Sequence, residues 1–130
     1  APYDKAEHCL NFKQVKNLRL KDIEVTWDKP ESPKWGSALY LEDVEGLEID
    51  GFQGRQAKLG ANVPSIVVNQ VENAIVRNCV APSGTETFLH FVGDRTRDIV
   101  LTGNDFRRAK TPYTFEEGVG RNIVIELQRV

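Results

Sequence analysis

Apolar and polar positions alternate along this chain in short bursts, and the bursts recur. Val15-Lys16-Asn17-Leu18-Arg19-Leu20, Val44-Glu45-Gly46-Leu47-Glu48-Ile49 and Val71-Glu72-Asn73-Ala74-Ile75-Val76 align without a gap, followed by Thr96-Arg97-Asp98-Ile99-Val100-Leu101 and Gly120-Arg121-Asn122-Ile123-Val124-Ile125. A period of two is the signature of a strand with one buried face. A second strand-like stretch precedes each copy: Leu10-Asn11-Phe12, Leu39-Tyr40-Leu41, Ile66-Val67-Val68, Leu89-His90-Phe91 and Tyr113-Thr114-Phe115. Each repeat therefore reads as strand, bend, strand, loop. The fourth motif residue falls at 18, 47, 74, 99 and 123, giving spacings of 29, 27, 25 and 24.

Repeats of this length, each too small to bury its own apolar face, predict a solenoid in which neighbouring coils complete one another's core. The predicted fold is all-β: a right-handed parallel β-helix of about five coils, a single domain over residues 1–130, anchored near Leu18, Leu47, Ala74, Ile99 and Ile123. These five residues form one inward row, and Leu20, Ile49, Val76, Leu101 and Ile125 form another. The third motif position holds Asn17, Gly46, Asn73, Asp98 and Asn122, residue types that tolerate a left-handed backbone, so a bend and an asparagine ladder are expected there. Outward positions should alternate in charge between coils: Lys16 with Glu45, Arg19 with Glu48, Glu72 with Arg97, and Lys21, Asp50 and Arg77 in succession. Glu45 beside Glu72 and Arg97 beside Arg121 run against that rule. A left-handed hexapeptide helix needs a strict six-residue period and a leucine-rich repeat its own consensus, and neither is kept. Helix-pair solenoids fail on the period of two.

Composition narrows the partners. The 130 residues carry 17 basic and 19 acidic side chains, a net charge of −2, with the two signs mixed along the chain. That gives no block suited to nucleic acid or to an anionic membrane, and no apolar run approaches the roughly 20 residues of a membrane span. The sequence contains no Met, as an excerpt from a longer β-helix would allow. Cys9 and Cys79 form neither a zinc pattern nor a redox pair and read as two small buried thiols.

Function is expected in the loops Trp27 to Ser37, Gly54 to Pro64, Ala81 to Glu86 and Phe106 to Pro112, or on outward strand rows. Trp27 and Trp35 share the longest loop and would offer a stacking platform to a sugar ring, or else pin the loop over the core. The outward row Asn11, Tyr40, Val67, His90, Thr114 presents Tyr40 and His90 as polar handles. His90 would be the proton carrier of a small enzyme, or an ordinary surface histidine, and His8 beside Glu7 has a weaker claim. Arg55 and Lys58, with Arg107, Arg108 and Lys110, are placed to pair with carboxylates of an acidic polysaccharide, or to remain solvated. The acidic pairs Glu42-Asp43 and Glu116-Glu117 are adjacent on strands and point apart, which unfits them as a general acid and base. No residue is assigned a catalytic or metal-binding role, and no cofactor is expected.

The repeat residues, with Pro64-Ser65-Ile66-Val67-Val68-Asn69-Gln70-Val71-Glu72-Asn73 and Ala81-Pro82-Ser83-Gly84-Thr85-Glu86-Thr87-Phe88-Leu89, resemble the last coils of bacterial glycoside hydrolase family 28 proteins from about Cys9 to Ala109. That family includes polygalacturonases and rhamnogalacturonases, within the wider pectin-lyase-like β-helices. The resemblance implies a secreted or periplasmic polysaccharide-active parent. The family's inverting hydrolysis uses two carboxylates roughly 6.5–9.5 Å apart across the sugar, carried by Asn-Thr-Asp and Asp-Asp signatures, with Gly-His-Gly and Arg-Ile-Lys beside them. The first two and Gly-His-Gly are missing here, and Arg19-Leu20-Lys21 matches the last in letters while lying inside the structural repeat. The implied role is thus a noncatalytic C-terminal segment, with the acids on coils upstream of Ala1. A stand-alone carbohydrate-binding module using Trp27, Trp35 and Tyr40 is the alternative, and a small enzyme with an unrecognised site a third. An uncapped coil end would also invite end-to-end self-association.

Overall fold

A computed structural model describes residues 8–27, 35–119 and 121–130. Its strands are β1 (Leu10–Lys21), β2 (Leu39–Asp50), β3 (Pro64–Arg77), β4 (Thr87–Val92), β5 (Arg97–Thr102), β6 (Thr111–Phe115) and β7 (Arg121–Glu126). Every pairing is parallel: β1 to β2, β2 to β3, β3 to both β4 and β5, then β4 to β6 and β5 to β7. The chain is therefore an all-β parallel solenoid. The five predicted coils are five rungs, and the four intervals between them make about four turns.

The register follows the repeat. Leu18, Leu47, Ala74, Ile99 and Ile123 stand in one column, and Leu20, Ile49, Val76, Leu101 and Ile125 in the next. Burial is complete in the middle rungs, where Leu39, Leu41, Ile49, Ile66, Phe91, Ile99 and Leu101 are fully enclosed. At roughly 25 cal/mol per Å² of apolar area, these columns supply the main term holding the rungs together. The outward columns pair as expected of alternating charge: Arg19 to Glu48 at 3.9 Å, Arg97 to Glu72 at 3.5 Å and Arg77 to Asp50 at 3.4 Å. Arg77 also reaches Glu48 diagonally at 2.7 Å. These ion pairs are partly exposed, so their effect is on register more than on net stability.

The bend row is where the sequence placed it. Asn17, Gly46, Asn73, Asp98 and Asn122 have φ of 56°, 81°, 65°, 57° and 53°. Of the expected ladder, the described side chains form the link from Asn122 to Asp98 at 2.8 Å, and Gly46 has no side chain to offer. A β-carbon on Gly46 would lie 2.7 Å from the Asn17 carboxamide oxygen. Gly60 shares the left-handed backbone, with φ of 77°, but has open space around it. Gly60→Ala should thus cost only the backbone term, about 1–2 kcal/mol, and Gly46→Ala distinctly more. Urea unfolding of the two variants side by side checks this, and equal losses would mean that the close approach to Asn17 carries no weight.

Two further corner rows were not anticipated. Gln14, Asp43, Gln70 and Gly93 turn the chain ahead of the motif, and Asp22, Gly51, Asn78, Gly103 and Leu127 turn it after, all with positive φ. Each rung thus has three corners. Its third side is a column of isolated parallel bridges running Glu24, Gln53, Val80, Asp105, Arg129.

One expectation is corrected. Cys79 is fully buried, but Cys9 is exposed: it lies just ahead of β1 on the first described rung, and among the described residues only the β2 rung lies against it.

Candidate functional site

The candidate ligand-binding residues fall into two groups on different parts of the surface. The first is the outward face of the leading strands. Asn11, Tyr40, Val67, His90 and Thr114 stand in register as one column, so Tyr40 and His90 are two rungs apart, about 10 Å. Tyr40 donates its hydroxyl hydrogen to Glu42 Oε1 at 2.9 Å and accepts from Asn69 Nδ2 at 3.4 Å. The His8 ring stacks on Tyr40 with centroids 4.9 Å apart and planes 7° from parallel, and the Lys13 ammonium sits 5.8 Å from the Tyr40 centroid. One face of Tyr40 is therefore covered by His8, and its hydroxyl is engaged by Glu42 and Asn69. His90 Nδ1 lies 2.6 Å from Thr114 Oγ1. Asp43, next to Glu42, sits at a corner and pairs with Arg95 at 3.1 Å, so the two neighbouring acids do serve separate surroundings.

The second group surrounds the bridge column. Trp27 and Trp35 pack with centroids 5.4 Å apart and planes tilted by 36°. Trp27 donates its indole N–H to the Arg55 carbonyl at 2.8 Å and rests against the core, so this ring does hold the chain down. Residues 28–34 of that loop, like Glu7 beside His8, lie outside the described residues. The Arg55 guanidinium is itself fastened by its own loop, donating from Nη1 to the Gln56 and Ala57 carbonyls at 2.8 and 2.9 Å. Lys58 is exposed. Between these parts lies an open cavity of about 200 Å³ lined by Glu24, Val25, Thr26, Trp27, Gln53, Arg55 and Pro82. It combines one aromatic wall, one carboxylate, one carboxamide and one cation. Of the other loop cations, Arg107 pairs with Asp105 at 2.8 Å and Lys110 with Glu86 at 3.4 Å.

The chemistry of these groups is set by their surroundings. His8 Nδ1 accepts the Ser37 N–H at 2.9 Å, which fixes the neutral ring with its proton on Nε2. Burial and then the Lys13 charge hold its pKa below the ordinary 6.5. Burial pushes Tyr40 up, an effect that the Asn69 hydrogen bond offsets in part and Glu42 reinforces. Hydrogen bonds from Arg107 hold Asp105 down at about 2, and those from Asn78 with the charge of Arg77 lower Asp50. Burial raises the Cys79 thiol from 9.0 to about 11. Among the described residues no three His, Cys, Asp or Glu side chains converge as a metal site requires.

Compared with models of known families, with curated proteins and with solved structures, the chain gives no match. No family match supports the assignment to glycoside hydrolase family 28, and what stands is the parallel β-solenoid itself.

The shifted groups predict a stability plateau in pH. His8, Asp50 and Asp105 are depressed in the fold, so their contributions are complete above the unfolded values and fade as pH falls, first for His8 below 6.5. Cys79 is raised, so its contribution is complete below 9.0 and fades as pH climbs toward about 11. Urea midpoints followed across pH should be flat between these limits and fall on both sides, with Cys79→Ala flattening the alkaline limb. A midpoint that stays level or climbs as the pH is lowered below 6.5 would contradict the burial described for His8.

Proposed function

We propose that this chain is a noncatalytic stretch of β-solenoid in a polysaccharide-active protein, and that it holds the glycan in the Trp27 cavity. The observation that carries the reading is the make-up of that cavity. Sugar recognition combines an aromatic surface for the C–H face of a pyranose with planar polar groups for its hydroxyls, and Trp27, Gln53 and Glu24 offer both. Arg55 adds a cation suited to a uronate carboxylate. The resemblance to pectin-type coils points to the same class of ligand, an acidic polysaccharide of the secreted or periplasmic space. Upstream coils of a longer parent would then carry the hydrolytic acids.

Calorimetric titration with oligogalacturonides, beside neutral xylo- and gluco-oligosaccharides, tests the reading. Binding with quenching of tryptophan fluorescence is the expected result. Gln53 is exposed and, among the described residues, is anchored through its backbone to Ile23 and Val25, so Gln53→Ala should fold normally and weaken binding about 2- to 10-fold, the worth of one hydrogen bond at about 0.5–1.5 kcal/mol. Tyr40→Ala, on the other face, should leave affinity unchanged. Absence of heat for every glycan at millimolar concentration would dispose of the proposal, and loss of binding with Tyr40→Ala alone would move the site to the leading-strand face.

A further inference from the structure

We propose that the glycan track of the Trp27 cavity continues along the solenoid axis to a second carboxylate receptor, the Arg107 guanidinium, and that the ligand is a linear acidic oligosaccharide long enough to reach it. The inference rests on the acidic-glycan reading of that cavity. The bridge column sets the stations. Gln53, Val80 and Asp105 stand in register on successive rungs, and two residues beyond each come Arg55, Pro82 and Arg107. The residues between, Gly54, Ala81 and Phe106, are buried, so all three rungs turn Arg55, Pro82 and Arg107 to the same outer side. Arg55 and Arg107 are thus two rungs apart, about 10 Å along the axis.

What makes receptors of these two cations is how each is held. A guanidinium carries its N–H groups in one planar fork, and a carboxylate can take up one edge while leaving another for a second partner. Arg107 engages Asp105 with Nε, at 3.0 Å to Oδ1, and with Nη2, at 2.8 Å to Oδ2. Its backbone N–H donates to the same carboxylate at 3.1 Å. The side chain is thereby fixed against its own rung, with the Nη1–Nη2 edge unengaged among the described residues. Arg55 is held from the opposite end of its fork, Nη1 donating to the Gln56 and Ala57 carbonyls at 2.8 and 2.9 Å. Its Nε–Nη2 edge is the one unengaged among the described residues. Both forks are set before a ligand arrives, so little rotamer freedom is lost on binding. Asp105 does not cancel the second receptor, because Arg129 follows it in the bridge column and two cations then flank one carboxylate. Between Arg55 and Arg107 lie Val80 and Pro82, which carry no charge. A linear glycan whose rings turn over in succession brings carboxylates to one side at every second ring, and a ring spans close to one rung, about 4.8 Å. Alternate uronates therefore meet Arg55 and Arg107 while the ring between them rests on Pro82.

Calorimetric titration of the 130-residue chain with the dimer and the tetramer of galacturonic acid tests this. The dimer fills the Trp27 cavity, and the tetramer also reaches Arg107. The tetramer should bind about 10-fold more tightly, the worth of hydrogen bonds to a charged group. Arg107→Gln should remove that gain, leaving the dimer's affinity and the far-ultraviolet circular dichroism unchanged. On the wild type, the fully methyl-esterified dimer and tetramer should bind alike, a comparison that needs no variant and so stands even if Arg107→Gln misfolds. A tetramer no tighter than the dimer, a gain that survives in folded Arg107→Gln, or an equal gain with the esters overturns this inference alone, since the dimer's binding upholds the cavity. Absence of binding by both acidic oligomers overturns it together with the proposed function.

Discussion

Phe88→Ala is expected to lower the free energy of unfolding by about 3–5 kcal/mol, the usual loss when a fully enclosed aromatic ring is removed from a core that cannot collapse around the gap. Phe88 has no exposed surface. Its ring stands between Phe52 and Phe106, with centroids at 6.5 and 5.7 Å, so deletion empties the middle of an aromatic cluster and strands a ring on each side. The backbone hydrogen bonds of the surrounding rungs resist any inward movement that would refill the space. Equilibrium urea unfolding measures the effect, and Phe115→Ala at the partly exposed last rung supplies the comparison. If the two substitutions cost the same, the interior is not the close-packed column described here.

The second large effect belongs to Asn104, an amide buried without exposure between the last rungs. Its carbonyl oxygen accepts the Cys79 N–H at 2.9 Å, and its amide donates to the Val76 carbonyl at 3.0 Å and to Gln128 Oε1 at 2.8 Å. Asn104→Leu keeps the volume and removes all three. Each buried group left without a partner costs about 1–3 kcal/mol, and the Cys79 amide and Val76 carbonyl are both deep, so a total loss of about 2–4 kcal/mol is expected. Hydrogen exchange localises it: the Cys79 amide should lose protection well beyond the global change. Retained protection at Cys79 would mean that the backbone finds another acceptor and that Asn104 is not the tie between these coils.

Asn104 also marks where the sequence stops being legible. An asparagine beside Gly103 and Asp105 looks like a loop residue, and nothing in its immediate neighbours distinguishes a solvated amide from one that stitches two coils together. Gln56 and Thr96 pose the same difficulty. Gln56 donates to the Gly84 carbonyl and accepts the Glu86 N–H, and the Thr96 hydroxyl accepts the Val71 N–H while donating to the Val92 carbonyl. Apart from Val92, four residues before Thr96, their partners lie 25 to 30 residues away, one rung along. The inward columns and the bend at Asn17, Gly46, Asn73, Asp98 and Asn122 were readable because stacking forces one chemical type to recur at one place. The corners at Gln14, Gln70 and Leu127 were not, since these residue types do not advertise a left-handed backbone. For the candidate site, the outward column containing Tyr40 and His90 followed from the repeat, but the stacking of His8 on Tyr40 did not. The nearness of Trp27 to Arg55 and Gln53 emerges only when the loop of one rung is laid against the next. Cys9 shows the matching error on the first described rung, where a small apolar residue is exposed.

The parallel columns also govern how such a chain can change its length. A single residue lost from the middle of a strand would turn every inward side chain beyond it outward and put Leu, Ile and Val of that rung into water. A residue lost from a loop would leave the columns untouched, and the successive spacings of 29, 27, 25 and 24 residues are loops of different length across which the register holds. Changes of length compatible with this fold are thus of two kinds, the lengthening or shaving of loops and the gain or loss of an entire rung, with the bridge-column cavity remodelled by the first and the length of the stack by the second.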